Sequence, residues 1–395
     1  MRWPSLILVL IVAAACQAPA TPPPVGPAPA AAPGASAASA AAVGGPAAAP
    51  AGWDQLVAAA KQEGKVVVYG PPGQEYRAAL VDGFQRAYPG ITVDAIFINP
   101  TERLSRLAAE RVAGRYLADV WVGGTNPAVT DVKEAHYSVP LPPALVLPEV
   151  LDPAAWLDNH LWWADAAEPY TNLMFQGSSQ AFVAVNTRLA DPDKFTSYWD
   201  LLAPQWKGKI VANDVRRPGP GGVPTRFLYK SPDLGPTFIS RLFSEMDVML
   251  TADPRQLVDW LAQGQYAIGL FMAGRDVVVA QKQGLPVAVV MPERFKEGGA
   301  LGPGNGSLVL LDQGPHPNAA KLYVNWLLSR GGQRVWQEAI EEPSLRVDVP
   351  KDGLTPSALP KPGVAYVNAA GEEYARLAGD TIAGLVNQAV EQGGR

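Results

Sequence analysis

Short apolar runs alternate with helical patterns in the first part of the folded sequence. Residues 66–69 (Val-Val-Val-Tyr) form a continuous apolar run, which is typical of a strand buried on both faces. Residues 75–88 carry apolar side chains at helical spacing, and further strands are predicted over 91–98 and 119–122. A helix between these two strands is expected to begin near Pro100. This β-α-β-α-β order predicts a parallel sheet with right-handed helical crossovers.

The second half of the chain shows the same alternation. Asp253 and Pro254 are suited to the N-cap and the first position of a helix, and Gly264 is suited to end it. The strongest amphipathic pattern begins at His316-Pro317. Other elements predicted here are strands over 181–185, at the end of 206–212 and over 267–271, and a last helix near 372–391. An irregular middle stretch separates the two groups of β-α units, so the sequence predicts an α/β protein with two lobes.

The N-terminal residues have the pattern of an export signal. Arg2 precedes an apolar run of ten residues, 6–15, and Cys16 follows it directly. Ten residues rise only about 15 Å as a helix, which is half of a hydrocarbon core of roughly 30 Å. The run is therefore too short for an ordinary membrane span. Residues 1–16 predict a secretory signal, and the rest of the chain is expected outside the cytoplasm.

The residues around the single cysteine suggest an anchor followed by a tether. Ala13-Ala14-Ala15-Cys16 resembles the lipobox of bacterial lipoproteins, in which the cysteine becomes lipidated and N-terminal. Acyl chains on Cys16 would hold the protein at a membrane surface. An ordinary secretory signal with a stray thiol is the alternative. Residues 17–52 are nearly all Ala, Pro and Gly and carry no charge, so we expect a disordered tether before a folded part that begins at residue 53.

Composition narrows the chemistry further. The 395 residues carry a net charge of −5 without a basic block, which argues against nucleic acid as a partner. One cysteine and three histidines exclude a disulfide framework and disfavour a metal site of soft ligands. No Walker loop or nucleophile elbow is present, and the glycine-rich segment 302–306 lacks the lysine of a nucleotide loop. The sequence therefore predicts no cofactor, no metal and no catalytic residue.

Four segments, taken in order, resemble the extracellular solute-binding proteins of bacterial ABC transporters. These segments are 64–70 (GKVVVYG), 118–124 (ADVWVGG), 198–210 and 315–329. Within that family the chain is most similar to the ferric-ion and thiamine-binding branch. The resemblance implies a type II periplasmic-binding fold, in which each of two lobes is a mainly parallel sheet flanked by helices. A hinge of two crossing strands would join the lobes, with a ligand cleft between them.

The resemblance also implies a domain organisation and a set of partners. We expect an N-lobe from 53–175 plus about 292–345, a C-lobe from 176–291, and a C-terminal segment, 346–395, that carries the final helix. The expected partners are a small-molecule solute, the subunits of an ABC permease, and the cell membrane through the lipid anchor. The expected state is an extracytoplasmic monomer that closes on its solute and delivers it to the permease.

Ligands of open α/β sheets lie beyond the carboxyl ends of the strands, where loops meet helix N-termini. Glycine lets backbone N–H groups approach a ligand, and helix N-termini and arginine side chains favour anions. Because Arg216, Arg217 and Arg275 could each clamp a carboxylate or phosphate, an anionic organic solute is predicted. The complete set of predicted ligand-binding residues is Tyr69, Gly70, Gly73, Asn99, Thr101, Gly123, Gly124, Thr125, Asp214, Arg216, Arg217, Gly221, Gly222, Met272 and Arg275.

Other interpretations stay open at this point. Ferric-binding members of the family hold iron through adjacent tyrosines just after the strand that aligns with 267–271, where this chain reads Met272-Ala273-Gly274-Arg275. Their early histidine would fall within 70–73, which is Gly-Pro-Pro-Gly here. A ferric-ion or thiamine-type binder nevertheless remains an alternative within the family. From other classes, an extracytoplasmic enzyme on a similar scaffold and a surface interaction protein are the alternatives.

Overall fold

The computed structural model describes residues 50–217, 221–272, 274–377 and 379–394, without the side chains of residues 274 and 275. The export signal, Cys16 and nearly all of the tether lie outside the described residues. The strands are β1 (Lys65–Gly70), β2 (Thr92–Phe97), β3 (Val120–Gly123), β4 (Trp162–Trp163), β5 (Asn172–Met174), β6 (Ser178–Gln180), β7 (Val183–Asn186), β8 (Ile210–Asn213), β9 (Met249–Thr251), β10 (Ile268–Leu270), β11 (Val287–Val290), β12 (Gly299–Gly302), β13 (Ser307–Leu310) and β14 (Tyr366–Val367).

The helices surround three sheets. A π-helical turn, Ala78–Asp82, joins α2 to α3 without a break. The α-helices are α1 (Trp53–Glu63), α2 (Gln74–Arg77), α3 (Gly83–Ala87), α4 (Pro100–Val112), α5 (Thr125–Pro127), α6 (Pro148–Leu151), α7 (Gly222–Lys230), α8 (Gly235–Glu245), α9 (Pro254–Ala262), α10 (Gly274–Lys282), α11 (Pro317–Leu328), α12 (Arg330–Ile340), α13 (Glu372–Ala375) and α14 (Gly379–Gln392).

The first sheet has the strand order β2-β1-β3-β13-β5-β4. β1 pairs in parallel with both β2 and β3, which confirms the parallel β-α-β-α-β unit predicted from the sequence. β13, β5 and β4 pair antiparallel on the β3 side. The sheet is therefore mixed rather than mainly parallel, because strands from later in the chain extend the parallel unit.

The second sheet, with the order β11-β7-β10-β8-β9, is mixed in the same way. β8 pairs in parallel with β9 and β10, and helices α7, α8 and α9 lie between these strands in the chain. β7 pairs antiparallel with β10 and β11. Each main sheet thus consists of a parallel unit of three strands and an antiparallel extension.

A small third sheet, β14-β12-β6, connects the two main sheets. The chain leaves the first sheet after β5 and passes through β6 into β7, and it returns from β11 through β12 into β13. β6 and β12 pair antiparallel, with Gly302 opposite Ser178. These paired strands are the two crossings that the resemblance implies for a hinge. β14, from the C-terminal segment, pairs in parallel with β12, while the lobe boundaries given above stay predictions.

Two helices differ from the sequence-based prediction. The pattern in α11 predicts an amphipathic helix, but Ala319, Ala320 and every residue from Leu322 to Leu328 are buried, because α11 packs against α1, α12 and the first sheet. The helix predicted near 372–391 is divided into α13 and α14. α13 is fixed beside the first sheet by Glu372, whereas α14 packs on α8 beside the second sheet, so the chain has to turn between them.

Two buried tyrosines differ in the bonding of their hydroxyl groups. Tyr198 is 1% exposed, and its hydroxyl has no hydrogen-bond partner among the described residues. Tyr323 is fully buried, and its hydroxyl donates to the carbonyl oxygen of Leu80 at 2.9 Å. An unpartnered buried polar group costs about 1–3 kcal/mol, whereas a satisfied neutral hydrogen bond contributes about 1 kcal/mol.

We therefore expect opposite effects from the same chemical change at these two positions. Tyr198→Phe should raise the free energy of unfolding by about 1 kcal/mol, and Tyr323→Phe should lower it by about 1 kcal/mol. Urea denaturation followed by fluorescence measures both. Equal destabilisation by the two substitutions would contradict the assignment of an unpartnered hydroxyl to Tyr198.

Candidate ligand-binding cleft

Two adjoining cavities lie along β6. The first has a volume of about 350 Å³ and the second of about 430 Å³. The first cavity is lined by Gly124, Thr125, Asn126, Pro127, Gln176, Ser178, Gln180, Val223, Gly302, Pro303, Gly304, Glu342 and Ala370. The second cavity is lined by Ser178, Ser179, Gln180, Ala181, Val278, Val289, Ile340, Glu341, Glu342, Thr355, Ser357 and Ala358.

The walls of the first cavity include segments that follow strands of both main sheets. Residues 124–127 follow β3 of the first sheet, and Val223 lies in the first turn of α7, which follows β8 of the second sheet. Ser178, Gln180 and Gly302 belong to the connecting strands β6 and β12. A movement of one main sheet relative to the other about these strands would therefore change the shape of the first cavity.

The side chain of Gln176 is held in a fixed orientation beside this cavity. Gln176 is 2% exposed, and its Oε1 accepts a hydrogen bond of 2.8 Å from Nε1 of Trp336. The structure shows no hydrogen bond from Nε2 of Gln176 to another described residue. A Cβ atom at Gly304 would lie 2.5 Å from this Nε2, and one at Gly306 would overlap Cβ of Gln176. The glycine-rich segment thus makes room for Gln176, whose Nε2 remains available as a donor to a ligand.

Glu342 is shared by the two cavities. The hydroxyl of Ser178 donates a hydrogen bond to Oε2 of Glu342. Among the described residues that line either cavity, the charged side chains are Glu341 and Glu342, and neither lysine nor arginine is present. The remaining polar lining consists of amides and hydroxyls. The cleft therefore offers carboxylate and neutral polar groups to a solute.

The C-terminal segment closes one side of the first cavity. The hydroxyl of Thr125 donates to the carbonyl oxygen of Ala370 at 3.1 Å, and both residues line the cavity. Two residues further along, Glu372 accepts from Nζ of Lys133 and from the backbone N–H of Ala166, at 2.8 and 2.9 Å. Although burial alone would raise it, the pKa of Glu372 is lowered by these partners and by Arg376.

Of the residues predicted from the sequence, Gly124 and Thr125 line the first cavity. Gly221 and Gly222 lie immediately before Val223, at the N-terminus of α7, where the backbone oxygen of Gly221 accepts a hydrogen bond of 2.7 Å from the hydroxyl of Thr225. Of these four residues, all predicted because they follow parallel strands, two line the first cavity and two precede a lining residue in the chain.

Tyr69 and Met272 do not line the cleft. Tyr69 is fully buried, and its hydroxyl donates to Oε1 of Glu110 at 2.5 Å and accepts from Nε of Arg106 at 2.9 Å. Burial, assisted by Glu110, raises the pKa of Tyr69 to about 12. Met272 is 7% exposed and packs with Leu257 of α9 in the core of the second sheet. Both predictions followed from position after a strand, and both side chains point into packed cores instead.

Two of the three arginines that predicted an anionic solute, Arg216 and Arg217, pair with a carboxylate of their own loop. Nε of Arg216 lies 2.7 Å from Oδ1 of Asp214, and its Nη1 donates to Oδ1 of Asn387 at 3.3 Å. Arg217 is exposed and lies 3.6 Å from Asp214. The Arg216 side chain lowers the pKa of Asp214, so this pair is an ion pair within the loop. The Arg275 side chain lies outside the described residues.

The other predicted residues with described positions do not line either cavity. Asn99 is the N-cap of α4 and accepts a hydrogen bond of 3.0 Å from the backbone N–H of Glu102, and Thr101 is exposed in the first turn of the same helix. Gly73 has a φ of 138°, which favours glycine. Side-chain atoms of neighbouring residues occupy the space that a Cβ atom would need at Gly70 and Gly123.

Beside Gly123 lies the buried guanidinium of Arg103. This group stacks 3.9 Å from the centre of the Trp121 ring and donates to the carbonyl oxygen of Val122 at 2.5 Å. Burial lowers the pKa of Arg103 to about 10. Arg103 does not belong to the lining of either cavity.

Sequence reasoning missed the polar centre of the cleft. Gln176, Ser178, Gln180 and Glu342 belong to no motif, and their roles depend on contacts with residues far away in the chain. The glycine-rich segment 302–306 was the available sign, since its close approach to Gln176 requires glycine. The absence of a lysine argues against a nucleotide loop, but it does not indicate that Gly302, Pro303 and Gly304 line a cavity.

Two further observations concern the described residues alone. No group of three His, Cys, Asp or Glu side chains among them is arranged so that it could hold a metal ion. Within the same part of the chain, every helix is too short or too polar to cross a membrane.

Comparisons with known proteins agree with this architecture. The family model for bacterial extracellular solute-binding proteins matches residues 68–334. Similar solved structures include ferric iron-binding protein A of Mannheimia haemolytica in an open conformation, with 14% identity and a TM-score of 0.62 over 83% of this chain and 99% of that chain. FutA of Trichodesmium in complex with iron and citrate has 16% identity and a TM-score of 0.59, over 83% of this chain and 98% of that one.

Apo FutA2 of Synechocystis is similar to the same degree, with 14% identity and a TM-score of 0.60 over 82% of this chain and 98% of that chain. At identities this low, structural similarity establishes the fold alone. It confirms the type II periplasmic-binding architecture expected from the sequence. No curated protein matches the chain.

Proposed function

Because the chain belongs to the bacterial extracellular solute-binding proteins, we propose that it captures a small polar solute in the first cavity and delivers it to an ABC permease. The family implies a place outside the cytoplasm. In line with the sequence, we also propose a lipid anchor at Cys16 and a monomeric receptor. The solute would leave the cleft chemically unchanged.

One observation supports this proposal most directly. The walls of the first cavity include residues that follow a strand of each main sheet, and the two paired crossings β6 and β12 also contribute to its lining. A solute that contacts both walls binds the closed arrangement better than an open one, and it therefore shifts the population towards closure. Closure about paired strands is the step that would signal an occupied receptor to the permease.

The cavity can be tested by filling it. The dialysable small-molecule fraction of yeast extract is a suitable probe, because it contains many nutrients of different chemical classes. A ligand present at about 100 times its dissociation constant stabilises a protein by about 2.7 kcal/mol, which gives a measurable rise in melting temperature. We expect this fraction to raise the melting temperature of the protein and to reduce its radius of gyration in X-ray scattering.

We expect Val223→Trp to raise the concentration of the extract fraction needed for the same stabilisation about tenfold or more. The indole would occupy space at the wall of the first cavity. Val112→Trp is the matched control, because Val112 is 90% exposed on α4 and lies in neither cavity. An equal response of the two variants would contradict the assignment of the site. Recovery of the solute unchanged, measured by mass spectrometry, separates a receptor from an enzyme on the same scaffold.

A further inference from the structure

We propose that the solute donates a hydrogen bond to Glu342 and is therefore an uncharged or cationic compound with hydroxyl or ammonium groups, rather than a free anion. This inference rests on the proposed function and names the chemical class that the cleft would accept. It replaces the anionic solute predicted from the arginines.

The first argument is the charge of the lining. Among the described residues, Glu342 borders both cavities and Glu341 borders the second, and no lysine or arginine borders either. Two like charges a few ångströms apart repel each other more strongly in a cleft that excludes water than in bulk solvent. A free anion in this cleft would meet that repulsion, and no residue of the described lining carries a positive charge to compensate for it.

The second argument is that the nearby arginines whose side chains the structure describes lie outside the lining. Arg216 and Arg217 interact with Asp214, and Arg103 is fully buried behind Gly123. Arg226 follows Val223 by three residues in α7 and is partly buried, but it does not border either cavity. The charge that a solute meets in the described lining is therefore negative.

The third argument is the direction of the available hydrogen bonds. Oε2 of Glu342 already accepts from Ser178, and the structure shows no hydrogen bond from another described residue to Oε1. Gln176 presents Nε2 as a donor, because its Oε1 is occupied by Trp336. A hydroxyl group can accept from Gln176 and donate to Glu342, whereas a carboxylate or phosphate dianion can only accept. A hydroxyl group fits both partners, an ammonium group fits Glu342 alone, and an acceptor-only group fits Gln176 alone.

The experiment separates solutes by charge before testing them. The dialysable fraction of yeast extract is passed over an anion exchanger at neutral pH, and the retained and unretained fractions are assayed by melting temperature. We expect the unretained fraction, which holds neutral and cationic compounds, to carry the stabilising activity. Glu342→Gln keeps the shape of the side chain and an acceptor oxygen but removes the charge. We expect it to raise the concentration needed for half of the stabilisation at least about tenfold.

Glu338→Gln is the matched control, since Glu338 is exposed on α12 and makes only a 3.7 Å pair with Arg334. Activity confined to the fraction retained by the exchanger would overturn this inference and leave the proposed function standing. An equal response of Glu342→Gln and Glu338→Gln would also overturn it. Absence of stabilisation by the unfractionated material would instead refute the proposed function, and this inference with it.

Discussion

Lys133→Met is expected to lower the free energy of unfolding by about 3–5 kcal/mol. Nζ of Lys133 lies 2.8 Å from Oδ1 of Asp165 and 2.8 Å from Oε2 of Glu372, and both carboxylates are buried. Burial alone would lower the pKa of Lys133, but these two carboxylates raise it above its ordinary value. Methionine would fill much of the same volume but remove the ammonium group that the two buried carboxylates share. Asp165 would keep only neutral donors, and Glu372 would keep Arg376 and the backbone N–H of Ala166. Removing one partner of a buried ion pair in this way is costly.

Urea denaturation at neutral pH measures this effect. Lys230→Met is the matched control, because Lys230 makes a partly exposed 3.5 Å pair with Glu373 of the same segment. We expect that control to cost at most about 1 kcal/mol. Should Lys133→Met fail to fold, the triple variant with Asp165→Asn and Glu372→Gln removes the uncompensated charges and is expected to recover a folded protein. Similar losses in the Lys133 and Lys230 variants would contradict a buried charge cluster.

A second large loss of stability is expected in alkaline solution. Tyr69 is fully buried, and burial together with Glu110 raises its pKa to about 12. In the unfolded chain a tyrosine loses its proton near pH 10, whereas the folded protein keeps this proton up to about pH 12. The contribution of Tyr69 to stability is therefore complete below about pH 10 and is lost as the pH rises towards 12.

The size of this loss follows from the shift. One pKa unit corresponds to about 1.4 kcal/mol, so Tyr69 alone accounts for roughly 2–3 kcal/mol between about pH 10 and 12. Burial also raises the pKa of Tyr198 and of Tyr323, which adds to the loss in the same direction. Urea denaturation at a series of alkaline pH values should give a steep decline. The Tyr69→Phe variant lacks the titrating group, so its free energy of unfolding should fall by about 2 kcal/mol less over this range. Parallel declines of the two proteins would contradict a raised pKa of Tyr69.

Local signals in the sequence predict many of the helices and long strands. Asp253 begins α9 as expected, because its carboxylate accepts hydrogen bonds from the backbone N–H groups of Arg255 and Gln256. Gly64 ends α1 in the left-handed conformation, with a φ of 69°. β1 was recognised because four consecutive apolar residues are buried together. In each case the information lies within a few residues of the element.

Pairing over long distances in the chain was not predictable in this way. β6 reads Ser-Ser-Gln, which is too short and too polar to indicate a strand, and it forms because Gly302, far along the chain, lies opposite Ser178. The antiparallel extensions of both sheets depend on similar distant pairs. The sequence therefore predicted the parallel unit of the first sheet and a strand over 181–185, but not the antiparallel pairing that makes both sheets mixed.

The candidate site follows the same division. Gly124 and Thr125 were predicted because residues after parallel strands lie at one edge of a sheet. Gln176 was not, because its orientation depends on Trp336 of α12. Arg216 was predicted to bind a solute, whereas its side chain pairs with the carboxylate of Asp214, which lies two residues earlier in the same loop.

The C-terminal segment is a third connection of the chain between the halves of the protein that contain the two main sheets, besides the crossings β6 and β12. It adds β14 to β12, fixes α13 beside Lys133, and ends with α14 against α8. Three passages permit fewer relative orientations of the halves than two passages would, so the empty receptor starts with less orientational entropy. A solute then has less of that entropy to remove on closure, and a larger share of its contact energy appears as affinity. The tail of the chain thereby preorganises the first cavity, to whose described lining it contributes Ala370.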